Sequence, residues 1–179
     1  MFVLYAIPIG ILGGYLLGGR LDRLSALRLR WVPLILFGLL VQVAVFTDAG
    51  GRLVGDAGPA IYVASTAAVL VAVLRNLTVP GVALIAGGAG LNLVAIVANG
   101  GRMPADPAAL TSVGGLGSGY TNSVFTTDPL LWPLTDLFAL PSWLPLANMF
   151  SVGDILVGLG VALTIALAMR APLPSEPGG

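Results

Sequence analysis

From Phe2 to Gly19 the chain carries no charged side chain, and four further stretches nearly repeat that pattern: Trp31 to Thr47, Pro59 to Leu74, Pro80 to Ala98 and Ser151 to Met169. A helix that crosses a bilayer needs about 20 mostly apolar residues, within a range of about 17–25. Five such stretches point to an all-α membrane protein, a bundle of five transmembrane helices in a single domain over residues 1–171. The spans are expected at about 2–19, 31–47, 59–74, 80–98 and 151–169. Charged residues make up 9% of the 179, against about 25% in a soluble domain, too few to clothe a water-facing surface.

The same composition removes much chemistry. The chain has no His and no Cys, and its eight basic residues are all Arg. That leaves no imidazole base, no thiolate and no lysine nucleophile. The expectation is therefore no cofactor, no metal and, at net charge +0, no nucleic-acid partner. Met1 runs straight into Phe2-Val3-Leu4-Tyr5 with no basic residue before the apolar run. A retained anchor fits this better than a cleaved signal.

Arginine placement orients the spans. Arg20, Arg23, Arg28, Arg30, Arg75 and Arg170 fall on one side of a five-span chain, and only Arg52 and Arg102 on the other. The positive-inside rule makes the first side cytoplasmic, with the N-terminus outside and the C-terminus inside. In the first loop Leu21, Leu24, Leu27 and Trp31 recur at helical spacing. The loop is expected as a short interfacial helix whose Arg20, Arg23, Arg28 and Arg30 reach anionic lipid headgroups.

The connection from Asn99 to Phe150 is the long one, and loops of that length are functional or disordered. Asn99-Gly-Gly-Arg-Met-Pro104 reads as a turn. Ala105 to Asp128 reads as mobile. The apolar segment Pro129 to Pro145 is broken by prolines and reads as an interfacial or re-entrant piece with one helix at Leu134–Leu140, its Trp132 and Trp143 suited to the membrane interface. Residues 172–179 read as a disordered tail.

In lipid, helices associate through small residues and polar contacts. Gly10, Gly14 and Gly18 line one face of the first span, Gly158, Ala162 and Ala166 one face of the fifth, and Ala86 and Gly90 serve in the fourth. Gln42, Asn92 and Thr66 are expected as buried partners of one another. Ser151-Val-Gly-Asp154 has the spacing of a capping box. An outer-face site is expected from Asn99, Arg102, Asp136 and Asp154, with Arg102 paired to one of the two carboxylates and Asp136 capping a short helix.

Three landmarks resemble a bacterial family of multi-pass membrane proteins known only as a domain of unknown function. They are the Gly-Gly-Arg-Leu…Leu-Arg-Leu-Arg-Trp run of Gly18 to Trp31, the Asn-Gly-Gly-x-Met-Pro run of Asn99 to Pro104, and the Ser-x-Gly-Asp-Ile-Leu run of Ser151 to Leu156. The resemblance implies a bacterial inner-membrane protein and supplies no activity. Three readings stay open. The first is a non-enzymatic binding, sensing or assembly protein, with a membrane-protein partner or a second copy of itself. The second is a small-molecule or lipid transporter. The third is a hydrolase using Asp136 and Asp154 as paired carboxylates.

Overall fold

The computed structural model describes residues 2–112, 123–126 and 128–171; the expected tail, 172–179, lies outside them, as does part of the segment read as mobile. A 3₁₀ turn, Phe2–Tyr5, leads into α1 (Ala6–Leu16). There follow α2 (Val32–Val45), α3 (Asp48–Val54), α4 (Gly58–Leu74), α5 (Val82–Ala98), α6 (Pro107–Ser112) and α7 (Val152–Ala168). Short strands β1 (Met103–Ala105) and β2 (Ser123–Phe125) pair in parallel, and β3 (Phe138–Ala139) and β4 (Met149–Phe150) antiparallel. One helical stretch, Ala49–Leu74, has the length and hydropathy to cross a membrane, with 26 residues and a mean hydropathy of 1.9; Phe2–Leu16, Val32–Val45, Val82–Ala98 and Val152–Ala168 are shorter apolar helices.

Local chemistry sets these ends. Gly81, at φ 90°, starts α5 after Pro80 instead of at it. Thr47 accepts a hydrogen bond from the Gly50 amide at 3.0 Å and so caps α3. That helix runs through a 3₁₀ turn, Gly55–Ala57, into α4, where the sequence had implied a loop.

The long helices form a row in which each touches its neighbours in the order α1, α7, α5, α4, α2. Small residues set the spacing. A Cβ on Gly10 would lie 2.8 Å from the Ala162 carbonyl oxygen. One on Gly88 would collide with the Gly153 carbonyl, and one on Gly153 with the Asn92 side chain. Of the expected small-residue faces, Gly10 thus meets Ala162, while Gly14 meets Met169 and Gly158 meets Phe2. Gly18 is no part of these contacts, since it is exposed at φ 76° and ends the helix. Gly90 also meets nothing within 4 Å. The α5 face toward α7 is instead built on Gly81 and Gly88, and Ala86 packs toward α4 with Val73 and Val82.

Two expected helices are replaced. The first loop is a 3₁₀ helix, Leu21–Ala26, followed by non-helical chain to Arg30, because its backbone bonds to other elements: Arg20 N–H donates to the Met169 carbonyl at 2.8 Å, and Arg30 to Asn76. Leu134–Leu140 is not helical. A 3₁₀ turn at Trp132–Leu134 stops at Thr135, and the chain continues extended because Asp136 N–H donates to the Pro104 carbonyl and Asp106 N–H to the Asp136 carbonyl, each at 3.0 Å.

Gly87 and Gly88 are adjacent on α5, but a Cβ on Gly87 meets nothing within 4 Å. Gly88→Ala should therefore lower stability in detergent by about 1–3 kcal/mol through overpacking. Gly87→Ala should leave it unchanged or raise it by up to about 1 kcal/mol through helix propensity. Thermal melting of the two variants checks this, and equal melting points would refute the α5–α7 packing.

Candidate functional site

The start of α7 is built around four hydrogen bonds that close on themselves. The Ser151 hydroxyl accepts from the Asp154 amide at 3.0 Å, and the Asp154 carboxylate accepts from the Ser151 amide at 3.1 Å. This is the capping box that the spacing implied. Asn92 of α5 joins it: its amide group donates to Asp154 Oδ1 at 2.9 Å, and its oxygen accepts from the Ser151 hydroxyl at 2.7 Å. Ser151 is fully buried. Asn92 thus pairs with Ser151 and Asp154, not with Gln42. Thr66 bonds back to the Tyr62 carbonyl of its own helix. Gln42 is half-buried on α2. Both Asp154 oxygens are engaged, by Asn92 and by the Ser151 amide.

The turn after α5 is equally organised. Gly100 and Gly101 adopt φ 69° and 82°, a conformation open to glycine without steric cost. Gly101 lies against Pro59, the start of α4. The Asn99 amide donates to the Ala95 carbonyl at 2.8 Å and the Leu130 carbonyl at 2.9 Å, while its oxygen accepts from the Leu130 amide at 2.9 Å. One side chain therefore caps α5 and fastens the returning loop to it. Met103 is buried against Tyr62, Ala95 and Ile96.

Arg102 is exposed and directly precedes β1. Asp136 is 4% exposed and bridges to Ala105 at the end of β1 rather than capping a helix. Arg102 thus leads into β1, Asp136 bridges to the last residue of that strand, and Asp154 is held by Asn92. The Trp132–Leu134 turn packs against both α5 and α7. Beside the turn lies an open recess of about 320 Å³ lined by Ala105, Asp106, Pro107, Thr126, Pro129, Trp132 and Thr135. Asp106 Oδ1 accepts from the Ala108 and Ala109 amides. Among the described residues no cluster of three or more His, Cys, Asp or Glu suits a metal.

Sequence reasoning missed Asn76 at the opposite end. It is 3% exposed. Its amide donates to the Ala72 and Arg30 carbonyls at 2.8 and 2.9 Å, and its oxygen accepts from the Arg30 amide at 2.6 Å. An asparagine just past a helix end, as at Asn99, was the available signal. Of the first-loop arginines, Arg20 pairs with Asp22 at 3.2 Å and Arg23 donates to the Arg170 carbonyl at 3.2 Å. The Arg20 hydrogen bond holds the Asp22 carboxyl below its usual value.

Asn92→Ala and Asp154→Ala should be coupled by about 1.5–3 kcal/mol in a double-mutant cycle, the range of a hydrogen bond to a charged group. Both Asp154 oxygens are engaged by Asn92 and Ser151, so Arg102→Ala and Asp154→Ala should add within about 0.5 kcal/mol. Chemical or thermal unfolding in detergent measures both. A large Arg102–Asp154 coupling would show that Arg102 interacts with the capping box.

No curated protein and no solved structure matches the chain. Residues 26–166, which hold the Asn99–Pro104 turn, the Asn76 and Asn99 contacts and the α7 capping box, match DUF5317, a family of unknown function, and the chain belongs to that family.

Proposed function

We propose that the chain is a multi-pass protein of the bacterial cytoplasmic membrane, a single domain over residues 1–171 with five spans. Its N-terminus is outside and its C-terminus inside. The observation that carries this reading is the outer surface of the helix row. Phe37 and Leu40 on α2 are 64% and 67% exposed, and Ile9 and Leu12 on α1 are each 61% exposed. Continuous apolar faces of this extent call for an apolar solvent. The shorter helices support it as well. At 17 residues each, α5 and α7 rise about 26 Å, near the hydrocarbon thickness of about 30 Å. The interhelical polar side chains Asn92, Ser151 and Asp154 satisfy one another, as an environment without water requires. The segments that carry Arg20, Arg23, Arg28, Arg30, Arg75 and Arg170 are joined at one end of the row by the contacts of Arg20 with Met169, Arg23 with Arg170 and Arg30 with Asn76.

The cap formed by the described residues between Asn99 and Phe150 is then an outer-face surface for binding, sensing or assembly. The cap presents Trp132 beside the recess, with Trp143 79% exposed nearby in the chain. The partner is a membrane protein, a second copy of the chain or a small polar ligand.

Single cysteines at Ala57 and Ala108 should react with an impermeant thiol reagent in whole cells, and one at Ser25 should react only after lysis. The reverse pattern would invert the topology. A photo-crosslinking residue at Trp132 should capture a defined partner in native membranes where the same residue at Leu53 does not, and equal capture at both would remove the cap as a binding face.

A further inference from the structure

We propose that Arg30, Trp31 and Arg75 form a site for a phosphate group at the arginine-rich end of the row, occupied by the headgroup of an anionic phospholipid. This inference rests on the membrane reading above. Three observations carry it. First, Asn76 bonds to both the amide and the carbonyl of Arg30 while capping α4 at Ala72. A buried side chain with three hydrogen bonds thus fixes residue 30 beside residues 75 and 76, from elements far apart in sequence. Second, Trp31 is held at φ 61°, ψ 27°, a conformation that non-glycine residues rarely adopt. Its carbonyl begins α2 by accepting from Leu34 and Ile35 at 3.0 and 3.1 Å. The exposed indole lies with the Arg75 guanidinium 5.2 Å from its ring centroid. Third, among the described residues Arg30 and Arg75 have no acidic partner, the one ion pair at this end being Arg20 with Asp22.

The chemistry follows from the geometry. A guanidinium stacked on an aromatic face keeps its in-plane N–H groups free, and those groups match the oxygens of a phosphate. The Asn76 clamp sets the residue that carries a second cation, Arg30, beside this one, and an anion bound between two like charges relieves their repulsion. Trp31 suits the headgroup level of the bilayer, where a phosphodiester is presented. The expected headgroup contacts of Arg20 and Arg23 are weakened by their protein partners, so the site moves from the first loop alone to the junction of the first and third loops.

The test uses the full chain reconstituted in nanodiscs of phosphatidylcholine with a minor fraction of phosphatidylglycerol, and counts retained lipid by native mass spectrometry after detergent release. The unaltered chain should retain phosphatidylglycerol selectively. Arg30→Gln and Arg75→Gln should each lower that retention by roughly fivefold, and Arg52→Gln at the opposite end should leave it unchanged. Arg30→Gln is the decisive variant, because Asn76 holds the backbone of residue 30 and the side chain is free to change without loss of fold. Arg75→Lys keeps the charge but loses the planar fork, and should lose part of the selectivity. Added inorganic phosphate separates the sources. Failure to displace the lipid assigns the site to the headgroup, and displacement assigns it to free phosphate. Equal phosphatidylglycerol retention by Arg30→Gln, Arg75→Gln and the unaltered chain overturns the proposal. Extraction of the chain from cells without detergent would overturn the membrane reading instead.

Discussion

The contact between Asn92 and the first turn of α7 is the interaction on which the arrangement of the helices depends. It needs three conditions at once. Gly88 and Gly153 must lack side chains so that the α5 and α7 backbones meet. Ser151 must leave the helix in an extended conformation, which it does at φ −102°, ψ 173°. Asp154 must then turn back to the Ser151 amide, so that its second oxygen faces Asn92. A helix N-terminus has amides with no partner of its own, and an uncovered carboxylate in an apolar setting is costly. Here each deficiency satisfies the other, and α7 is fixed between α5 and α1. The long connection before α7 is thereby required to fold back over the ends of both helices.

Two asparagines repeat one solution at opposite ends of the row. Asn76 and Asn99 each donate to the carbonyl four residues earlier, and each holds the amide and carbonyl of one distant residue, Arg30 and Leu130 respectively. In both cases the next residue has positive φ, 61° at Trp31 and 54° at Leu131, and a proline follows two positions later in a new helical turn. The physical reason is shared. A helix end exposes carbonyls, a carboxamide has both donor and acceptor, and a peptide unit held on both sides tolerates the strained residue after it. Distant loops are thus fastened to helix ends by side chains that complete the helix as well.

Much of this was legible along the chain, and the missing part is of one kind. The five apolar stretches, the Ser151–Asp154 capping box, the Asn99–Pro104 turn and the glycine face of α1 are local patterns, and each is helical, capped, turned or packed as its spacing requires. Partnerships across the fold were not legible. Asn92 was assigned to Gln42 because both lie inside apolar helices, but the row places α4 between α2 and α5. Asp136 was given a helix because Leu134–Leu140 is apolar. A ladder two or three residues long leaves no period to detect, and only the proximity of Pro104 reveals it. Gly18 was counted as packing because its spacing fitted, yet its positive φ makes it a terminator. The apolar cap shows the same limit: Phe150 stacks between Phe2 and Phe138, at centroid distances of 4.2 and 5.4 Å, and joins the N-terminal turn to the segment before α7 through residues with no shared motif.

Those distinctions bear on where function can reside. The residues of the Asn99–Pro104 and Ser151–Leu156 runs are largely committed to structure: Asn99 to Leu130, Gly101 to Pro59, Met103 to the Tyr62 cluster, Ser151 and Asp154 to Asn92. A group whose hydrogen bonds are filled by the protein has little left for a ligand. Chemistry directed outward must come from groups that the fold orders without consuming. At the cap these are the exposed Trp132 and the Thr126 hydroxyl beside the recess. At the other end they are Arg30 and Arg75, whose backbone or stacking is fixed and whose guanidinium groups have no acidic partner among the described residues. Asn99 and Asn76 hold the chain next to these two places, so the side chains that stabilise the helix ends also fix the position of the surfaces proposed to meet partner and lipid.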